Sequence, residues 1–369
     1  MNEYFLLGRS GLRVSRLSLG TMTFGTHWGW GADESTSRAL FDRYVAYGGN
    51  CFDTANAYTN GESERMLGRF IRESKSRDRS VITTKFTFGD EAGGPGANTG
   101  GNHRKNILRS IEASLRRLGT DYVDLYLMHF WDQLTDVEEV MRALDDLVGS
   151  GKIRYFGFSN VPSWYVGRAQ TLAQWRGWER VAALQMQYSL AERSIEYEYV
   201  RAAQELGIGI MAWSPLASGL LSGKYRPSED GGSGEGRLQK MKNMGAVGAG
   251  RFSERNWAIV AKLEEVAKKA GRSMSQVALN WAANRPGIDS LIVGATTLKQ
   301  LEDNLASLDF TLAPELVAEL DKVSAPEPLY PYYFLEPAMQ SRQYGGAAVG
   351  EKPDGYRPYI HVPPMEKAK

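Results

Sequence analysis

Cysteine is almost missing from this sequence, and histidine is sparse. Cys51 is the single cysteine, so no intrachain disulfide can form and a thiolate metal site lacks its ligands. His27, His103, His129 and His361 are scattered, with no HExxH pair and no other metal-ligand spacing. No charge of one sign prevails: 44 basic and 43 acidic residues leave a formal net charge of +1. That balance provides no electrostatic footprint for nucleic acid or an anionic membrane. Long hydrophobic runs are missing too. Nowhere do ~18 uncharged apolar residues run together, and Arg9, Arg13 and Arg16 interrupt the stretch where a secretory signal would be continuous. The expectation is a soluble cytoplasmic protein without membrane or nucleic-acid partners.

What is present is ordinary globular material, 42% hydrophobic and 24% charged over 369 residues. After a short apolar hairpin over Tyr4–Ser15, strand-like runs alternate with helical patterns. The strands read as Leu17–Gly20, Asn50–Asp53, Val81–Thr84, Val123–Met128, Ile153–Phe158, Ala182–Met186, Ile208–Trp213 and Ser290–Val293. The helical patterns that follow them begin near Ala32, Ser63, Arg104, Val137, Ser163, Glu196, Asn256 (with a second at Ser273) and Leu298. Alternation of this kind implies a parallel sheet, and eight repeats predict a closed (β/α)₈ barrel. An open dinucleotide-binding sheet would carry G-x-G-x-x-G after its first strand, whereas Gly20–Gly25 reads GTMTFG. Gly89–Gly101 and Asp230–Gly250 are rich in glycine and polar residues and read as loops. The chain divides into a barrel over 1–324 and a proline- and aromatic-containing tail over 325–369, expected to be extended and to contribute to a substrate pocket.

In such a barrel chemistry sits at the C-terminal ends of strands. Those ends supply Asp53, with Tyr58 five residues on, then Lys85 and His129. A phenol with a pKa of ~10 is a poor proton donor at neutral pH. A neighbouring Lys ammonium stabilises the phenolate, and a carboxylate holds that ammonium in place. An imidazole beside them orients a carbonyl oxygen or shares the proton transfer. The four together make a tuned acid next to a carbonyl, which hydride addition to C=O requires. Taken singly, each has a plainer reading as a surface lysine, turn cap, core tyrosine or structural histidine; their convergence on one rim favours chemistry.

With these residues in place, the sequence resembles the aldo-keto reductases from about Gly8 to Phe310. The resemblance is carried by blocks in order: Asn50–Tyr58, Gly101–His129, Gly151–Asn160, Trp213–Tyr225 and Gly294–Asn304. It implies that Asp53, Tyr58, Lys85 and His129 form a catalytic tetrad, with Tyr58 as general acid in reduction and general base in oxidation. It implies a nicotinamide cofactor held by Thr21, Met22, Asp53, Ser159, Asn160 and Gln185, with Trp213 stacked on the nicotinamide ring. Ser214, Leu216, Ser218 and Lys224 match a loop over the pyrophosphate. Gly294, Thr296, Gln300, Asp303 and Asn304 lie where the adenosine end binds, at a helix N-terminus suited to phosphate. Many relatives place Lys or Arg in this stretch, at positions here occupied by Gly294, Thr296 and Gln300, and Arg237 is a candidate for the missing charge. The Gly-Ala-Thr-Thr run is similar to that of the potassium-channel β-subunit branch, which binds NADPH. The resemblance therefore implies NADP(H), with NAD(H) open.

Trp28, Trp30, Tyr58, Phe86, Phe88, His129, Phe130 and Trp131 cluster after strand ends and predict an aromatic pocket for a bulky carbonyl or alcohol substrate. Two other classes stay open. A redox-sensing regulatory subunit would bind cofactor without turnover. A barrel hydrolase or lyase would need a carboxylate or histidine cluster that the strand ends do not supply.

Overall fold

A computed structural model of the chain describes residues 3–89, 96–228, 232–236, 238–239 and 251–335, together with 339, 342, 343 and 345. Arg237 and parts of both glycine-rich loops lie outside the described residues. An antiparallel hairpin, β1 (Tyr4–Leu6) and β2 (Arg13–Ser15), comes first. Eight parallel strands follow: β3 (Leu17–Gly20), β4 (Cys51–Asp53), β5 (Val81–Phe86), β6 (Val123–Met128), β7 (Ile153–Ser159), β8 (Ala183–Gln187), β9 (Gly209–Trp213) and β10 (Ser290–Val293). They pair in sequence order, and β10 closes the ring between β9 and β3. The predicted (β/α)₈ barrel and N-terminal hairpin are both present.

Side chains alternate strictly across this ring, as a period of two dictates. Cys51, Val81, Leu125, Leu127, Ala183, Met211 and Ile292 fill the interior. Their neighbours Phe52, Ile82, Tyr126, Phe156, Leu184, Ile210 and Leu291 face the surrounding helices. Leu7 and Val14 of the hairpin join the interior cluster and plug the N-terminal end of the barrel. The Asp289 carboxylate fastens the plug there, accepting from Gly8 N at 3.1 Å and Ile210 N at 3.2 Å.

The helices are α1 (Glu34–Ala46), α2 (Glu62–Glu73), α3 (Arg104–Leu118), α4 (Val137–Gly149), α5 (Ser163–Arg176), α6 (Tyr199–Leu206), α7 (Glu254–Ala270), α8 (Met274–Ala283), α9 (Leu298–Leu305) and α10 (Pro314–Ser324). Several begin at a cap that the sequence displays. Asp33, Asp136, Ser253, Ser273 and Thr297 each accept a backbone N–H of the first turn. α10 stands outside the eightfold rhythm and was not anticipated from it, although Pro314 suits a first helical position. None of the described helices is long and apolar enough to cross a membrane. Residues 325–369 form a second compact unit. In it the aromatic run makes one helical turn, Tyr332–Leu335, with the Tyr333 and Phe334 rings 4.6 Å apart, rather than a wholly extended segment.

Candidate functional site

The alternation that fills the barrel also delivers its rim. Asp53 and Lys85 have the same parity as Cys51 and Val81, so both point inward at the last turn of the interior. There the buried Lys85 Nζ is 2.8 Å from Asp53 Oδ2, donates to Thr54 O at 2.8 Å and to Tyr58 Oη at 3.2 Å. Burial works against the Lys85 ammonium, but the Asp53 carboxylate and Tyr58 oxygen outweigh it and hold its pKa above the usual lysine range. The other carboxylate oxygen, Asp53 Oδ1, accepts from Gln185 Nε2 at 2.7 Å. Tyr58 enters on a short helical turn whose next two residues, Thr59 and Asn60, are left-handed, which bends the chain back to the rim.

His129 lies two residues past the inward Leu127, its ring centre 5.9 Å from that of Tyr58. Burial first, then the Lys85 charge, push its pKa well below the ordinary imidazole range, so it is neutral near pH 7. Its Nδ1 is buried with no hydrogen-bond partner among the described residues. The four predicted residues thus converge on one rim.

The remaining strand ends continue the ring. Ser159 Oγ donates to Gln185 O, and Asn160 Nδ2 donates to Ser159 Oγ and to His129 O. Asn160 is left-handed at φ 52°, which turns its amide onto the rim. Trp213 ends β9, and its indole Nε1 is buried without a partner among the described residues. Beyond it Ser214, Ala217 and Ser218 are all left-handed, a tight loop that a Ser218 N to Ser214 Oγ bond secures. A Cβ on Gly219 or Gly236 would come within 2.8 Å of Lys224 Nζ, so both glycines make room for that ammonium. Partial burial lowers the Lys224 pKa.

One cleft of about 1090 Å³ joins these groups. It runs from Asp53, Tyr58 and His129 past Ser159, Asn160, Gln185 and Trp213 to Ser214, Leu216, Ser218 and Lys224. Its far end is walled by Gly294, Thr296, Gln300, Asp303 and Asn304 at the start of α9. Met22 lines it as well, whereas Thr21 is fully buried and bonds to Asp53 O at 3.0 Å and Ser63, supporting the rim from behind. Gln300 turns its amide oxygen onto Thr296 N and Oγ1, and Asp303 accepts from Ser273 Oγ and Gln276 Nε2 of the α8 cap.

The aromatic pocket needs three corrections. Phe86 is fully buried on the helix side of β5, its ring 4.9 Å from that of Tyr126 and tilted against it, because its parity is opposite to that of Lys85. Trp131 packs against Trp164 and Tyr165 and does not line the cleft. Trp28 also stands back from the cleft, edge-on to Tyr58 at 6.3 Å and against Trp30 at 5.4 Å. Trp30, Phe88 and Phe130 do line it. Thr23, Ser275, Glu235 and Gln239 line it without having been singled out. Only Thr23, next to Met22, carried a local signal; the others reach the cleft from loops and from a helix cap remote in sequence.

A family model described as the aldo/keto reductase family matches residues 16–325. The chain is 33% identical over 336 residues to a norsolorinic acid reductase of Aspergillus flavus, covering 89% of this chain and 83% of the relative. It is 34% identical to a versiconal hemiacetal acetate reductase of Aspergillus parasiticus, covering 89% and 99%. An oxidoreductase of Bacillus subtilis is 36% identical, covering 87% and 95%.

Proposed function

The chain belongs to the aldo/keto reductase family, and from that premise we propose that it is an NADP(H)-dependent reductase of bulky aromatic aldehydes or ketones, with Tyr58 as the proton donor. The observation that carries this reading is the buried Lys85 ammonium, held by Asp53 at 2.8 Å and donating to Tyr58 Oη at 3.2 Å. A fixed positive charge at that oxygen stabilises the phenolate left when the proton moves to the carbonyl. Burial of Lys85 strengthens the effect, because the interior screens its charge less than bulk water does. His129, neutral and beside Tyr58, offers a hydrogen bond to the substrate oxygen without adding a charge. In oxidation of an alcohol the roles reverse: the Tyr58 oxygen takes the hydroxyl proton.

The cleft suits a nicotinamide dinucleotide in volume and in the order of its donors and acceptors. The amide oxygens of Asn160 and Gln185 have no donor among the described residues, and they stand ready for a carboxamide NH₂. Trp213 offers a ring face, and Lys224 a cation beside the loop of left-handed serines. When bound, the nicotinamide supplies the hydride. At the far end Thr296, Gln300 and Asn304 offer neutral contacts to a 2′-phosphate, so NADPH is preferred by a modest margin and NADH is also bound.

Substrate class follows from the mouth. Trp30, Phe88 and Phe130 wall it, and no arginine lines the cleft among the described residues. Flat apolar rings fit such a wall better than sugar phosphates or carboxylates do. The relatives named for norsolorinic acid and versiconal hemiacetal acetate agree with ring-bearing substrates.

Titrating the protein with NADPH and with NADH by tryptophan fluorescence, then assaying aromatic aldehydes and ketones, tests the reading. The expected result is tight NADPH binding, NADH weaker by about tenfold or less, and carbonyl-dependent oxidation of the cofactor. Binding without turnover on any carbonyl or alcohol would point instead to a regulatory subunit.

A further inference from the structure

Continuing β5 by its period of two would turn Phe88 outward, like Phe86, into the helix layer. Instead Phe88 lines the cleft, its ring 5.2 Å from His129 and 5.2 Å from Phe130. The reversal happens at Thr87, whose φ is +104°, a region that β-branched residues almost never occupy. A chain that needed only the turn would carry glycine there. Threonine adds a hydroxyl, and that hydroxyl is fully employed. Thr87 Oγ1 donates to Asn102 Oδ1 at 2.6 Å and accepts from His129 N at 3.2 Å.

Asn102 completes the tie. It is wholly buried, donates through Nδ2 to Phe130 O at 2.8 Å and through its backbone N to Asp132 Oδ2 at 2.8 Å. Asp132 in turn holds Leu134 N and Thr135 N, which locks the turn following Phe130. On the other side Gly101 N donates to Thr87 O at 2.7 Å, and Asn56 Nδ2 donates to Phe88 O at 2.9 Å. Loops after β5 and β6 are thereby joined by buried and part-buried polar bonds to the backbone of Phe88, His129 and Phe130. Thr87 and Asn102 themselves do not line the cleft, whereas the Phe88, His129 and Phe130 that they hold do.

We propose that Thr87 and Asn102 are positioning residues that hold the Phe88–His129–Phe130 wall in place and so set the selectivity of the cleft for flat, multi-ring carbonyl compounds. The inference rests on the reading that the cleft takes aromatic carbonyls. Backbone strain at Thr87 persists because the surrounding bonds overdetermine it, and what it gains is one orientation of three rings. Free loops would present those rings in many orientations, and a flat ligand would have to order them on binding.

The test is binding of 2-naphthaldehyde to the protein–NADP⁺ complex, read by tryptophan fluorescence, in wild type, Asn102→Ala, Thr87→Val and Thr87→Ser. NADP⁺ affinity is measured on the same samples. Asn102→Ala and Thr87→Val each leave buried polar groups unpaired and should weaken naphthaldehyde by about tenfold, with the NADP⁺ Kd within about twofold. Thr87→Ser keeps the hydroxyl and should bind within about threefold of wild type. With NADPH, the loss in the first two variants should appear in KM more than in kcat. Wild-type naphthaldehyde affinity in both variants, or an equal loss for NADP⁺, would overturn the proposal. A wild type that binds naphthaldehyde but never reduces it refutes the reductase reading while the variants still decide the positioning role; one that binds none overturns both.

Discussion

A phenol that has to donate a proton near neutral pH depends on what stands beside its oxygen. At Tyr58 that neighbour is Lys85, whose charge is secured by Asp53 against the cost of burial. Tyr58→Phe removes one oxygen and leaves the ring contacts, so carbonyl reduction should fall by at least about 10³-fold, the scale of a lost general acid. The NADPH Kd, measured by fluorescence, should stay within about twofold because no other cleft group changes. Activity near wild type would refute the mechanism. Lys85→Met leaves a chain of similar length without charge. Alcohol oxidation needs the deprotonated phenol, so any surviving oxidation rate should move to higher pH than in wild type, read from a pH–rate profile. His129 behaves differently: burial, then the Lys85 charge, hold its pKa well below the ordinary imidazole range, so its titration should not shape that profile at neutral or alkaline pH.

Elements transmit these positions through their spacing. Strand parity explains why Asp53, Lys85 and Gln185 share the interior, because residues two apart on a strand share a face. The same rule misplaces Phe86 if read loosely: a residue adjacent to an inward lysine must point outward, and Phe86 does. Helix contacts are less legible. Gly68 of α2 lies so close to α3 that a Cβ there would come within 2.1 Å of Leu118 O, a backbone atom that cannot swing away. Gly68→Ala should therefore destabilise the protein by about 1–3 kcal/mol despite alanine's better helix propensity. A denaturant melt with an unchanged or raised midpoint would contradict this. Nothing in the local sequence distinguishes Gly68 from a tolerated surface glycine, since its partner is fifty residues away.

At the scale of the whole molecule, the N-terminal plug carries a charge that the barrel end does not welcome. Burial lifts the Asp289 pKa to about 6, although Gly8 N and Ile210 N donate to it. The folded state binds this proton more tightly than the unfolded chain, whose carboxylate has an ordinary pKa. Asp289 therefore favours folding at low pH, and that contribution is lost as pH rises from about 4 through 6. Asparagine keeps an acceptor for both N–H groups and has no charge. Asp289→Asn should match wild type near pH 4 and exceed its stability by up to about 3 kcal/mol at pH 7, as a carboxyl pKa lifted to about 6 requires. Equal denaturant midpoints for the two proteins at pH 7 would show that the plug tolerates the charge.

The sequence by itself determined the eight-unit barrel and brought Asp53, Tyr58, Lys85 and His129 to its rim, because alternation, helix caps and motifs a few residues long are short-range patterns. The strand bounds shifted by one or two residues, with β5 running on through Lys85 to Phe86. Residues on separate strand ends could be placed together once closure was inferred, since closure brings all strand ends to one face. Tertiary structure alone decided which aromatics reach the cleft, how Thr87 reverses β5, and that Asn102 and Asp132 tie two loops beneath the rings. It also decided that Asp289 would hold the plug and that Asp303 would serve the α8 cap while facing the cleft. These features depend on hydrogen bonds and close contacts between segments far apart in the chain. Their strength comes from burial, and burial is a property of the assembled barrel.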